Sequence, residues 1–255
     1  MKKLIALAVV ASAFASFAED NVFGCLAINS EAEETIICVP WLQPGAGGDM
    51  NVKDVIKTSN LEAGDEFRYY DLAQKKYLVW GLDDDGSGNK RWVWGDKDST
   101  EPTRSIARGG AVLLIRNDID KREDKKIYVY GQVGTATSKE YTLGAGTSEA
   151  ACYSLIAPPT VGETDLNTNA SWTNVNAQDY IVLPDMSVLV YLDDGKGAKK
   201  WGKQIKTREN NTQPFTIKFD TTTAVVPAGQ GAWYVSGVGA TTTPSVTWSN
   251  LPSVK

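Results

Sequence analysis

Residues Tyr77 to Gly95 read YLVWGLDDDGSGNKRWVWG: an apolar run, an acidic glycine turn, then a basic-to-aromatic return. That order is the sequence form of a β-hairpin. It returns near residue 188 as VLVYLDDGKGAKKWG, where Leu192-Asp193-Asp194-Gly195 echoes Leu82-Asp83-Asp84-Asp85-Gly86 and Trp201 echoes Trp92. A chain that repeats a hairpin with its flanking segments is constrained to repeat a β unit, and the remainder of the sequence is read for that repeat.

The runs VFGCLAI and TIICVPW are separated by the polar NSEAEE and read as strand, turn, strand, with Pro40 ending the second. LQPGAGGD is loop by its proline and glycines. In NVKDVIKT, Asn51 is placed to cap, and Val52, Val55 and Ile56 recur at helical spacing, which predicts one short helix. The turn Glu62-Ala63-Gly64-Asp65 feeds the strand EFRYYDL, and ARGGAVLLIRN is a glycine-led strand with a continuous apolar centre. The charged run Asp118 to Lys126, DIDKREDKK, reads as a solvated hairpin tip before IYVYGQVG.

In the second half CYSLIAPP takes the place of IICVPW, and the polar stretch Thr160 to Asn174 that of the short helix. Asn176-Ala177-Gln178-Asp179 echoes the Asp65 turn, and VVPAGQGAWYVSGVG matches ARGGAVLLIRN in form. A last strand is expected over Ser245 to Trp248. The expectation is an all-β chain of two tandem small β-sandwich or barrel-like units related by internal duplication, with one short helix in the first. The units are placed at residues 19–145 and 150–255.

Met1-Lys2-Lys3, the apolar run to Phe14 and Ser16-Phe17-Ala18 have the form of a secretory signal peptide over residues 1–18, cleaved near Ala18. Its removal takes away two lysines and no acid, moving the formal charge from −5 to −7. An acidic chain of this kind points away from nucleic acid. No later stretch reaches the ~20 apolar residues of a spanning helix. The expected location is therefore secreted, periplasmic or cell-surface. Val22-Phe23-Gly24-Cys25 has the outline of a lipoprotein cleavage box, but Glu19-Asp20-Asn21 stands where apolar residues belong. With Cys25, Cys38 and Cys152 in the exported part, a turn centred between residues 31 and 32 would set Cys25 opposite Cys38. A Cys25–Cys38 disulfide is expected, with Cys152 left over.

The chain has no histidine, which removes Ser-His-acid and Cys-His nucleophilic sites and imidazole-based zinc sites. No carboxylate pair is singled out for glycoside hydrolysis, so no catalytic residue is assigned. Asp83, Asp84, Asp85 and Asn89 are oxygen ligands of the kind calcium takes, although Asp-Gly clusters are also ordinary turn chemistry. Calcium is the one cofactor weighed. Trp92 and Trp201 recur and are expected in the core. Trp41, Trp94 and Trp172 do not recur, and are the candidates for an exposed surface that stacks on sugar rings.

NVFGCLAINS with TIICVPW, the AGD-type turn, the AVLLIR and AWYVS strands and the GQVG element resemble an uncharacterised class of secreted bacterial two-repeat β-proteins. That class carries no established activity, so the resemblance implies an architecture and no catalytic residue. The functional expectation is an exported, non-enzymatic structural or adhesive protein of the cell envelope or extracellular space. The alternative is a carbohydrate-binding module using exposed aromatic side chains. The corresponding partners are further copies of the chain or a surface glycan.

Overall fold

Strand follows strand along the chain because short alternating runs, each ended by glycine, proline or an acidic turn, leave no segment long enough for an amphipathic helix. The computed structural model describes residues 23–30, 33–44, 48–56, 58–95, 100–118, 125–193, 198–207, 216–251 and 253. The first half contains β1 (Phe23–Asn29), β2 (Glu34–Cys38), β3 (Met50–Asn51), β4 (Glu66–Asp71) and β5 (Lys76–Asp84). It continues with β6 (Lys90–Trp94), β7 (Ser105–Ile106), β8 (Ala111–Ile115) and β9 (Lys126–Gln132). The second half holds β10 (Ser138–Thr142), β11 (Cys152–Ile156), β12 (Thr164–Asp165), β13 (Ala170–Thr173), β14 (Tyr180–Val182) and β15 (Val188–Asp193). It ends with β16 (Lys199–Thr207), β17 (Thr216–Asp220), β18 (Val225–Val226), β19 (Ala232–Ser236) and β20 (Ser245–Ser249).

The main sheet of the first half has the order β2-β8-β4-β5-β6, flanked by the ribbons β1-β9 and β3-β7. In the second half the order is β11-β19-β14-β15-β16, extended by β17, with β10-β20 and β12-β18 in the places of the two ribbons. Every pairing of the first half has a counterpart in the second, which adds β13 to the outer side of β20. The sheets are open and none closes, so the barrel alternative is not realised. The expected helix is also corrected: Asn51 caps as foreseen, accepting from the Lys53 N–H at 3.0 Å, but the segment makes 3-10 turns at Val52–Asp54 and Thr58–Asn60. Val52, Val55 and Ile56 are buried nonetheless.

Pairing departs from the sequence expectation at three places. β1 pairs with β9 and β2 with β8, so VFGCLAI and TIICVPW do not form a hairpin. The charged run after Asp118 joins β8 to β9, which belong to different sheets, so it is not a hairpin tip; residues 119–124 lie outside the described residues. β10, which a boundary at residue 145 assigns to the first unit, pairs with β20.

A buried aspartate in the turn ahead of it anchors the central strand of each main sheet. Ahead of β4, Asp65 accepts at Oδ2 from the Glu62 N–H (3.0 Å) and at Oδ1 from the Asn117 N–H (3.1 Å), just past β8. Ahead of β14, Asp179 accepts at Oδ2 from the Asn176 N–H (2.8 Å) and at Oδ1 from the Gly237 N–H (2.9 Å), just past β19. Both are essentially inaccessible. Burying a carboxylate is costly unless donors surround it, and here the donors are backbone groups that would otherwise end a strand without partners. In the second half Tyr234 adds a third donor, its hydroxyl reaching Asp179 Oδ2 at 2.5 Å.

From these anchors the ladders run in step. Phe67 faces Leu114 and Trp80, and Trp80 faces Trp94. Ile181 faces Tyr234 and Leu189, and Leu189 faces Lys203. Trp92 and Trp201 each stand two residues before the last member, and both are buried. The partner of Trp201 is Tyr191, whereas Leu82 is the partner of Trp92, so the Leu82/Leu192 echo in the sequence is one residue out of register.

Two apolar clusters result, one centred on Phe67, Trp80, Trp92 and Leu114, the other on Trp201, Tyr234, Val246 and Trp248. They meet where β2 touches the segment before β19. Cys38 N–H donates to Gly229 O at 3.1 Å and Gly231 N–H to Ile36 O at 2.9 Å, while Leu155 and Ala157 enter the first cluster.

Asp65→Ala and Asp179→Ala each orphan two backbone N–H groups and are expected to cost roughly 2–5 kcal/mol in chemical denaturation. Asp83→Ala, at an exposed position of β5, is expected to stay within about 0.5 kcal/mol. Burial first, then the hydrogen bond to Asp179 and its charge, push the Tyr234 phenol far above its ordinary range. A raised native value means that the stability this phenol contributes is complete below about pH 10 and lost as pH rises above it. Tyr234→Phe should therefore make the alkaline loss of stability shallower.

Candidate functional site

The acidic hairpin tip between β5 and β6 is held by its own side chains. Asp84 Oδ1 accepts from the N–H groups of Gly86 (2.8 Å) and Gly88 (3.2 Å). Asp85 Oδ1 accepts from Ser87 (2.8 Å) and Asn89 (3.2 Å), and Asn89 Nδ2 donates to Asp85 Oδ2 at 2.9 Å. These bonds hold the Asp85 carboxyl below its usual range, the Asn89 amide foremost. Asp83 faces Arg91 across the ladder. Asp84, Asp85 and Asn89 thus build the turn while Asp83 belongs to the β5 ladder, and among the described residues no group of three or more acids and cysteines gathers as a metal site. The second tip, residues 194–197, lies outside the described residues.

The three tryptophans proposed for sugar stacking are packed against the protein. Trp41 is buried at 3% exposure and lies across the β1-β9 ribbon, where a Cβ on Gly24 would come within 2.4 Å of its ring. Its Nε1–H donates to Val129 O at 3.1 Å, which removes it as an exposed platform. Trp94 is half-buried, edge-on to Trp80 at 5.1 Å. Trp172 is half-buried against Trp201, Tyr234 and Trp248, and its Nε1–H donates to Leu166 O at 2.9 Å.

All three cysteines are free thiols, which overturns the Cys25–Cys38 disulfide. The cause is the pairing: Cys25 on β1 faces Tyr130 on β9, whereas Cys38 on β2 faces Ala111 on β8. Cys25 lies on the outward side of its ribbon with exposed Phe23 and Tyr130, and the Tyr128 and Tyr130 rings stack at 6.1 Å. Cys38 is fully buried, and burial pushes its pKa up to about 12. Burial also raises the half-buried Cys152 thiol.

A cleft of about 340 Å³ opens between the 3-10 segment and β6, lined by Lys53, Asp54, Ile56, Thr58, Lys90, Arg91 and Trp92. Its walls are pinned. Lys90 Nζ donates to Leu61 O at 2.6 Å and Trp92 Nε1–H to Ile56 O at 3.2 Å. Lys53 Nζ pairs with Glu101 Oε1 at 2.7 Å, and Glu101 also accepts from Trp80 Nε1–H at 2.8 Å. Burial pushes the Glu101 carboxyl up, but these two donors outweigh it and hold it below the usual range. Asp54 Oδ2 accepts from Gln43 Nε2 at 3.0 Å. In the sequence Lys90 and Arg91 stand only as parts of a hairpin and Trp92 as an expected core residue; nothing in the local pattern indicates that the capped turn at Asn51 closes over them.

Comparison with protein-family models, with curated proteins and with solved structures finds no match for the chain. Among the described residues, no helix is long and apolar enough to cross a membrane.

Thiol labelling of the native protein is expected to modify Cys25 promptly, Cys152 more slowly and Cys38 only on unfolding. Three labelled cysteines in the unreduced, denatured chain, read by mass spectrometry, would agree with the structure; a single labelled cysteine would contradict it.

Proposed function

We propose that this chain is an exported, non-enzymatic structural or adhesive β-protein of the cell envelope or extracellular space, built from two copies of one β unit. The matched order of strand pairing and the matched aspartates at 65 and 179 support the duplication. The signal-peptide form of residues 1–18 supports export.

The observation that carries the structural reading is the unequal finish of the two ribbons. In the second half β20 lies between β10 and β13. In the first, β9 has β1 on one side and, among the described residues, the single Leu42–Gln132 bridge as its strand contact on the other. The outward side chains of the β1-β9 ribbon include Phe23 of β1 at 60% exposure and Tyr130 of β9 at 39%. Between Lys126, whose carbonyl accepts from Asn60 Nδ2 at 3.1 Å, and Gln132, that edge of β9 carries no strand among the described residues; such an edge beside exposed aromatics is a template for another strand, and a second copy of the chain is the partner that supplies one. The alternative, a carbohydrate-binding module using exposed aromatic side chains, loses support with Trp41 in the core.

Sedimentation of the mature chain over a concentration series tests this reading. Association is expected, with Phe23→Ser combined with Tyr130→Lys shifting it toward monomer. A wild-type chain that stays monomeric at every concentration would overturn it.

A further inference from the structure

We propose that the cleft between the 3-10 segment and β6 binds an acidic sugar unit, a uronate residue of a carboxylated polysaccharide. The inference deepens the adhesive reading by naming a glycan class, and rests on that reading. Among the described residues, three cations, Lys53, Lys90 and Arg91, and one acid, Asp54, line the cleft, in a chain whose formal charge is −5. Cationic side chains gathered in a concave wall of an acidic protein draw anions to that place. The cations are positioned before any ligand arrives, Lys90 by Leu61 O and Lys53 by Glu101. That preorganisation lowers the ordering cost of binding.

The rest of the lining selects a sugar over a bare anion. Ile56 and Trp92 give an apolar floor, Thr58 a hydroxyl, and Asp54 an acceptor for ring hydroxyls. The volume lies in the range of about 300–1,000 Å³ common to ligand pockets. β6 adds backbone groups: the Asp85–Asn89 hydrogen bond fixes the ladder so that Arg91 and Val93 bond toward β5. The N–H and C=O of Trp92 then turn outward, toward the 3-10 segment.

The second half occupies the corresponding place with its own side chain. Asn167, in the turn after β12, donates Nδ2–H to Trp201 O at 2.9 Å and accepts from the Trp201 N–H at 2.8 Å. Where the second half holds a polar amide on its tryptophan's backbone, the first half holds the cationic cleft. The same two backbone groups beside Trp92 suit the oxygens and hydroxyls of a bound sugar.

Calorimetric titration of the whole mature chain with an oligogalacturonate tests the site, with a neutral oligogalactan and inorganic phosphate as comparison ligands. Binding of the uronate oligomer is expected, weakening with added salt. Lys90→Met combined with Arg91→Gln should weaken it by roughly a hundredfold, and Lys139→Gln on β10 should leave it unchanged. If the double variant fails to fold, Arg91→Gln alone, at an exposed position, carries the test with a loss of roughly tenfold. Neutral oligomer bound as tightly as uronate, or phosphate competing equally, would overturn the assignment. So would equal losses in the cleft variants and in Lys139→Gln. A wild-type chain that binds no uronate overturns the site whatever its state of assembly, and leaves the structural reading to sedimentation.

Discussion

A buried carboxylate in the turn ahead of each central strand, Asp65 in one half and Asp179 in the other, decides where that strand lies. Each reaches forward by more than fifty residues to the backbone N–H that follows the neighbouring strand, and back three residues to close its own turn. A slip of one residue at β4 or β14 would send every inward side chain to the opposite face. It would also strand the carboxylate away from its donors, so the electrostatic and hydrophobic requirements select the same register. Phe67, Trp80 and Trp92, with Ile181, Leu189 and Trp201, then fall on the buried faces as a consequence.

With the central strands fixed alike, the halves differ at their edges. The second half covers β20 with β13, extends β16 with β17, and holds the backbone of Trp201 with Asn167. The first half ends its main sheet at β6, beside the cleft, and gives β9 one bridge in place of a strand. Edge strands and concave edges are where a β-protein meets partners, because backbone donors and acceptors there are not consumed by the sheet. The asymmetry therefore places both proposed interactions on the first half.

Much of this was legible in the residues. The alternation of EFRYYDL, the unbroken apolar centre of AVLLI and the recurrence of Trp92 at Trp201 all mark groups that are buried or packed on the core. Val52, Val55 and Ile56 were read as one buried face, and are, although Pro-Gly-rich surroundings and a short span yield 3-10 turns rather than an α-helix. Period-two alternation states which face a side chain takes but not which strand lies beside it. The Cys25–Cys38 expectation failed there, since β1 takes a partner about a hundred residues away and β2 one more than seventy away. Trp41 failed for a related reason: the two glycines that make room for it, Gly24 against its ring and Gly131 against its Cβ, belong to segments brought together only by the β1-β9 pairing. The Asp65 and Asp179 turns were seen as matched, but the distant donors they have in common, the N–H groups of Asn117 and Gly237, are backbone groups, which leave no mark in a sequence.

Native-state hydrogen exchange at the amides of Asn117 and Gly237 tests the central claim most directly. Both lie just beyond the last residue of a strand, where an amide with no partner exchanges as fast as a surface turn. If the buried aspartates hold the sheets, these two amides exchange as slowly as those in the middle of β8 and β19, and speed up selectively in Asp65→Asn and Asp179→Asn respectively. Fast exchange at both sites in the wild-type protein would contradict the account.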